Sequence, residues 1–346
     1  MTTCKTILNT RLSFRFLTGL LLAISLVPEL VIAQPNLARF SFRRGLMGTQ
    51  FNVIFYASDS LMAQQANAAV NARMDSLNQV MSDYLDGSEI NELSKTAGSR
   101  KWVPVSADLF AVLQKGKTIA NRSNGRYDPT VGPLSLLWRR AVRRKEFPTS
   151  KERRQARRAV GYKLMELDSL ARSVRLRRAG MRLDVGGIGQ GFAVDEALKT
   201  LHRFDIRSSL VDIGGDILAD EAPPGSQGWR VSIGSGKPGD ADTTTIFLKK
   251  AAITTSGDTY RFLEYKGQRY SHIMDPRSGL GLRHFVQATV WAPDGYRADA
   301  LTKVFSVAGL KKSRRLVKRF PGVKLLILEN KKGRLHKWQS APFSQF

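Results

Sequence analysis

The chain has 346 residues, 42% hydrophobic and 9% aromatic, enough apolar surface to bury a full core, which excludes a mostly disordered polypeptide. Its 55 lysines and arginines against 29 acidic residues give a formal net charge of +26. The single cysteine, Cys4, precedes an apolar leader, so the mature chain has no disulfide, no thiol nucleophile and no thiolate ligand, and any metal would need oxygen or imidazole ligands.

Lys5, Arg11 and Arg15 lead into the apolar run Phe16 to Ala33, which ends Val31-Ile32-Ala33 before Gln34-Pro35. That order of basic start, apolar middle and short C-terminal stretch is a signal peptide's. Pro28 and Glu29 leave fewer than the roughly 20 uninterrupted apolar residues of a spanning helix. We therefore expect residues 1–33 to be a cleaved signal peptide, and residues 34–346 to be an exported, periplasmic or extracytoplasmic domain. Cys4 lies before the apolar run and cannot be the lipid-bearing residue of a lipoprotein.

Phe51 to Tyr56 reads as a strand, followed by a helix with Val70, Met74, Leu77 and Met81 on one face behind a cap at Asp59 or Ser60. Ser106 caps a second helix whose Leu109, Val112, Leu113 and Ile119 share a face. Much of the charge sits between Arg139 and Arg158. Export and the lack of a nucleic-acid-binding module make this a solvated basic helix face, with an acidic membrane surface or acidic partner as the alternative and no nucleic acid expected. Strand-like runs recur at Leu183 to Val185, Leu210 to Ile213, Trp229 to Ile233, Thr244 to Leu248 and Gln287 to Trp291. Helices are expected from Gly191, with Val194, Ala197, Leu198 and Leu201 aligned, and from about Ala298 through Phe305. Pro223-Pro224-Gly225-Ser226 is a turn, or a lobe boundary near 222–228. Closely spaced strands outnumbering helices predict an α+β fold with largely antiparallel sheets and flanking helices.

Four segments carry candidate chemistry. Leu183-Asp184-Val185-Gly186-Gly187-Ile188-Gly189-Gln190-Gly191 opens a helix, where free N–H groups and the helix dipole favour an anion such as a diphosphate, although a structural tight turn fits the same residues. Thr254-Thr255-Ser256-Gly257-Asp258 gathers hydroxyls at a strand end. Tyr270-Ser271-His272-Ile273-Met274-Asp275-Pro276-Arg277-Ser278-Gly279 then supplies an imidazole, a carboxylate and a guanidinium within six residues. Asp299, in Arg297-Ala298-Asp299-Ala300-Leu301-Thr302-Lys303, is expected exposed at a helix start, as a dipole partner or as the acid a hard cation prefers.

In this order the segments resemble the ApbE family of FAD:protein FMN transferases, over roughly Met47 to Gly309. The matching stretches also include Met47-Gly48-Thr49, Met81-Ser82-Asp83-Tyr84 with Ser88-Glu89-Ile90-Asn91-Glu92-Leu93, and Gly125-Arg126-Tyr127-Asp128-Pro129-Thr130-Val131-Gly132-Pro133-Leu134 with Trp138. The resemblance implies a two-lobed body with flavin in the cleft. It implies flavin contacts at Met47, Tyr84, Arg126, Tyr127, Asp128, Gly186, Phe192 and Ile273, a catalytic base at His272, and magnesium held by the Gly189 carbonyl, Asp299 and a hydroxyl four residues further on. This sequence departs from that pattern with Gly189 for an alanine, Gln190 for a lysine, and Lys303 where the hydroxyl belongs. An ammonium cannot ligate a metal, and Thr302 stands about 100° away around the helix.

What the resemblance implies is a magnesium-dependent enzyme that cleaves FAD and attaches FMN to a Thr or Ser of an acceptor flavoprotein, releasing AMP. Two alternatives remain open on the sequence: a periplasmic FAD-binding protein without turnover, and an FAD pyrophosphatase in which water replaces the acceptor.

Overall fold

Phe51, Val53, Phe55 and Ala57 alternate with partly exposed neighbours and all four are buried, so Thr49–Ala57 is a strand with one face on the core. It belongs to a sheet of eight strands seen in a computed structural model, which describes residues 37–234, 243–257, 262–331 and 333–342. The spatial order is Ala38–Leu46, Thr49–Ala57, Ser209–Ile213, Asp216–Ala219, Ala251–Ser256, Val286–Ala292, Lys324–Lys331 and Arg334–Gln339. Every neighbouring pair is antiparallel. The leader at 1–33 and Asp258 lie outside the described residues.

The seven helices described are α1 (Ser60–Met81), α2 (Glu89–Lys95), α3 (Ala107–Ser123), α4 (Gly132–Arg144), α5 (Ser150–Arg158), α6 (Gly189–His202) and α7 (Gly295–Leu316). Asp59 is the α1 cap, accepting from Met62 N at 2.8 Å, and Ser106 caps α3, accepting from Leu109 N at 3.1 Å. The aligned faces of both helices are buried as their spacing predicts. α1, α6 and α7 pack on one face of the sheet around the main core. On the other face the hairpin of Trp229–Gly234 and Thr243–Leu248 packs through Trp229, Val231, Ile233, Ile246 and Leu248 against Leu210, Ala219 and Ile253. The two-residue period divides the central strand accordingly: Ala252 belongs to the helix-side core and Ile253 to the hairpin side. Residues from Leu37 on group as one unit, within which 222–228 is the turn ahead of that hairpin.

Two expectations are corrected. Leu183 to Val185 joins no ladder. Leu183 N donates to Ser94 Oγ at 3.0 Å and Asp184 N to Pro129 O at 2.9 Å, and burial of Leu183 and Val185 in a helix-lined core gives an apolar run that imitates a strand. α7 begins at Gly295, three residues before Ala298, because Asp195 of α6 accepts from Gly295 N at 2.6 Å and Tyr296 N at 3.0 Å and so caps it from outside.

Candidate active site

The first turns of α6 and α7 meet backbone to backbone. A Cβ on Gly191 would lie 2.3 Å from Gly295 O and 2.7 Å from Asp299 Cβ, and a Cβ on Gly295 would lie 2.4 Å from Gly191 O. Only glycine permits this approach. It brings Asp299 under the loop that opens α6, where Gly191 N donates to Asp299 Oδ2 at 3.2 Å. In the loop itself, Gly186 N donates to Asp184 Oδ1 at 2.8 Å, fixing a tight turn before the N-terminus of α6.

Asp299 is fully buried, contrary to the exposed helix-start position expected for it, because the α6–α7 crossing covers α7 there. Lys303, one helical turn on, donates from Nζ to Asp299 Oδ1. Its stem lies against the glycine loop: the Cβ position of Gly187 is 3.4 Å from Lys303 Cγ and 3.7 Å from Cε. Burial opposes the Lys303 ammonium, but Asp299 and Asp216 outweigh it and hold it above the usual lysine value. Asp216 starts the strand after the Gly214-Gly215 turn and is paired in register with Thr254. Burial, then Asp299, lifts Asp216 to about 7, with Lys303 opposing. Asp216 Oδ1 and Thr254 Oγ1 are buried without hydrogen-bond partners. Sequence reasoning passed over Asp216; the signal was an acid directly after a Gly-Gly turn.

Tyr127 lies beneath the same loop, its Cε2 3.4 Å from the Cβ position of Gly187. Burial, with Asp184, Asp299 and Asp128 nearby, keeps its phenol neutral well above the ordinary value, and its hydroxyl has no hydrogen-bond partner. At 5% exposure it supports the loop from below and offers no open face for stacking. Tyr84 does offer one: it is 75% exposed, with the Arg139 guanidinium 4.0 Å from its ring centroid. Arg139 also joins Asp83 at 2.6 Å and Asp184 at 3.5 Å, tying the Tyr84 segment to the glycine loop. Burial, then Asp184, raises the Asp83 carboxyl, and Arg139 opposes that rise.

The other expected residues divide into two sorts. Asp128 is an internal staple: its Oδ1 accepts from Thr130 N and Oγ1 at 2.9 and 2.7 Å and its Oδ2 from Tyr162 N at 2.9 Å, so its acceptors serve the fold. Phe192 and Ile273 are buried, and Met47 is partly buried in the two-residue turn between the first two strands, at φ 48°. Arg126 donates to Ser123 O at 2.7 Å. Burial, then the neighbouring Arg277, lowers its pKa.

His272 is exposed in the loop after Gln268–Ser271. Three contacts fix that loop: Ile273 N donates to Ser271 Oγ at 3.0 Å, Trp138 Nε1 to Gly279 O at 3.2 Å, and Arg157 Nη1 to Arg277 O at 3.1 Å. Asp275, which could have oriented the imidazole, instead grips Arg277 through Nε at 2.8 Å and Nη2 at 2.7 Å.

The side-chain donors expected for magnesium are engaged within the fold. Both Asp299 oxygens are engaged, by Lys303 and by Gly191 N, and the Thr302 hydroxyl donates to Asp299 O at 2.7 Å. Among the described residues no three His, Cys, Asp or Glu side chains are grouped to hold an ion. A hard divalent cation needs about six oxygens at about 2.1 Å, and an ammonium already stands on the principal one. With Lys303 in place, the residues do not fit the metal.

Fold and site together define an α+β protein in which the glycine loop at the start of α6 lies against the pair that buried Asp299 makes with Lys303 on α7. The ApbE family pattern matches residues 47–327, and the chain belongs to that family. It is 30% identical over 301 residues to the FAD:protein FMN transferase of Treponema pallidum, covering 82% of each chain. It is 25% identical over 336 residues to the enzyme of the same name from Haemophilus influenzae, covering 93% of this chain and 95% of that one. Among solved structures, the ApbE protein of Thermotoga maritima superposes with a TM-score of 0.76 at 27% identity, over 87% of this chain and 97% of that one. The fold alone is shared with the Vibrio cholerae flavin transferase ApbE, at a TM-score of 0.78 and 23% identity over 89% of this chain and 98% of that one.

Proposed function

We propose that this chain is an FAD:protein FMN transferase whose acceptor is an exported flavoprotein with a Thr or Ser at the flavinylation position. The observation that carries the reading is the glycine loop at the start of α6, set against the Asp299–Lys303 pair: a cradle for a diphosphate with a cation beside it.

The acceptor hydroxyl oxygen attacks the FMN-side phosphorus of FAD. A new P–O ester forms, the bond from that phosphorus to the bridging oxygen breaks, and AMP leaves with that oxygen. The hydroxyl proton passes to His272, since imidazole is the side chain whose ordinary pKa suits a base near neutrality. Arg277 and Lys303 each offset part of the charge on the diphosphate, only part because Asp275 and Asp299 already pair with them. The resemblance adds magnesium at Gly189 and Asp299; the donor set does not fit it, and no step here uses it. The exposed arginines of α5 and the end of α4 suit an acidic acceptor or an acidic membrane surface, and the leader at 1–33 suits export.

Incubation of the mature chain with FAD and the flavin-accepting domain of a covalently flavinylated protein tests the reading. Flavin fluorescence retained on the acceptor in a denaturing gel, with one AMP per label, is the expected result. Free FMN with AMP would make the chain a pyrophosphatase, and bound FAD without turnover would make it a carrier.

A further inference from the structure

We propose that Lys303 is the resident cation of this site, so that the FAD diphosphate is held by an ammonium built into α7 and needs no divalent metal. The inference rests on the transferase reading for the identity of the ligand, and on geometry for the rest. Lys303 Nζ bonds Asp299 Oδ1, the other oxygen of that carboxylate is taken by Gly191 N, and Asp299 is fully buried. The carboxylate therefore already has a donor on each oxygen, and one of the two is a cation that neutralises it. The Lys303 stem runs along Gly187, in the loop whose N–H groups and helix dipole favour an anion, and the side chain keeps 28% of its surface open. A surface ion pair at this helical spacing would carry no such meaning. Here the acid lies in the core and the base borders the cradle.

The arrangement also says what removing the ammonium should do. Lys303→Thr leaves Asp299 Oδ1 unpartnered beside Asp216, whose own Oδ1 already lacks a partner, and adds a hydroxyl one helical turn from Asp299. Carboxylates relieved of their cation, with a neutral oxygen added, form a donor set that a hard cation accepts. The variant should thus gain the metal site that the native chain lacks.

The test uses FAD and MgCl2 as probes on the whole mature protein. Flavin fluorescence titration with chelator or with millimolar MgCl2 should give wild-type FAD affinities equal within about twofold, and calorimetric titration of MgCl2 into FAD-loaded wild type should show no saturable heat. Lys303→Met, which keeps the stem and removes the charge, should weaken FAD by about tenfold or more in chelator, as loss of a charge-assisted contact requires. Lys303→Thr should show the same loss, restored by MgCl2 with a one-site calorimetric isotherm. Saturable magnesium binding by wild type, FAD affinity that collapses in chelator, or a Lys303→Met variant that binds FAD normally would overturn the proposal. If no form binds FAD, the transferase reading fails instead, and MgCl2 titration into the flavin-free proteins still decides which cation the site holds.

Discussion

The α6–α7 crossing gives the most direct check on how this site is built. Gly191→Ala places a Cβ 2.3 Å from Gly295 O and 2.6 Å from Gly295 C. Both are backbone atoms, so no rotamer change relieves the clash. Ordinary carbon contact begins near 3.5 Å, so the two helix N-termini must part by about 1 Å. Overpacking against backbone falls at the upper end of about 1–3 kcal/mol or beyond, while alanine returns about 1 kcal/mol in helix propensity, leaving a net loss of about 2 kcal/mol. The same displacement draws Asp299 and Lys303 away from the glycine loop, so FAD affinity should fall together with stability. Gly45→Ala serves as the control, since nothing lies within 4 Å of its Cβ position. Urea denaturation and FAD titration of both variants check this. Wild-type stability and FAD affinity in Gly191→Ala would refute the claim that the backbone crossing positions the site.

Three further outcomes follow from named contacts. His272→Ala should lower FMN transfer by about 10²–10⁴ with FAD binding retained, read by gel fluorescence and flavin titration; equal loss of both would make His272 a binding residue. Arg139→Ala should cost about 1–2 kcal/mol in urea denaturation, because Asp83 and Asp184 lose their shared partner, and Arg139→Lys should recover only part, since one ammonium cannot span both carboxylates and the Tyr84 ring. Burial lifts the Asp195 carboxyl from 3.8 to about 7, so the folded chain holds a proton there that the unfolded chain has released. Stability from this group is therefore present at low pH and lost as pH rises through about 4 to 7, by no more than about 4 kcal/mol, and Asp195→Asn should flatten that slope in denaturation curves taken across the window.

Elements with a strong period were legible in the sequence. The α1 stripe of Val70, Met74, Leu77 and Met81 and the α3 stripe from Leu109 are buried as spaced, and the strand at Phe51 keeps its alternation. Leu183 to Val185 was misread because a short apolar run has no period that separates a strand from an extended buried segment. The end of α7 was also hidden. Gly309, at φ 68°, breaks the helix, and Glu329 from a distant strand accepts from Leu310 N at 3.1 Å to restart it, so the segment runs past the point where its pattern weakens.

The same distinction explains what the sequence could say about the site. Asp299 and Lys303 are four residues apart on one helix, so their pairing follows from helical geometry alone once both are placed in α7. Whether that pair faces solvent or an anion cradle does not follow, because the answer lies in Gly191 and Gly295, whose mutual approach is a property of two helices distant in the chain. Asp216 and Thr254 become neighbours only through strand register. The Lys303 ammonium thus acquires its second carboxylate from contacts that no local pattern encodes, and an isolated α7 would show nothing more than an ordinary surface pair. Tyr127 makes the point from the other direction: its motif suggests an aromatic against flavin, but at 5% exposure the ring is committed to holding the loop, and the open ring is Tyr84. A stacking role at Tyr127 would require the glycine loop to lift from it, so Tyr127→Phe should leave the FAD affinity unchanged, whereas Tyr84→Ala should weaken it by about 1–3 kcal/mol, the range of aromatic stacking on a base. Flavin titration of the two variants separates these roles, and a large loss in Tyr127→Phe would show that its partnerless hydroxyl, not its ring, meets the ligand.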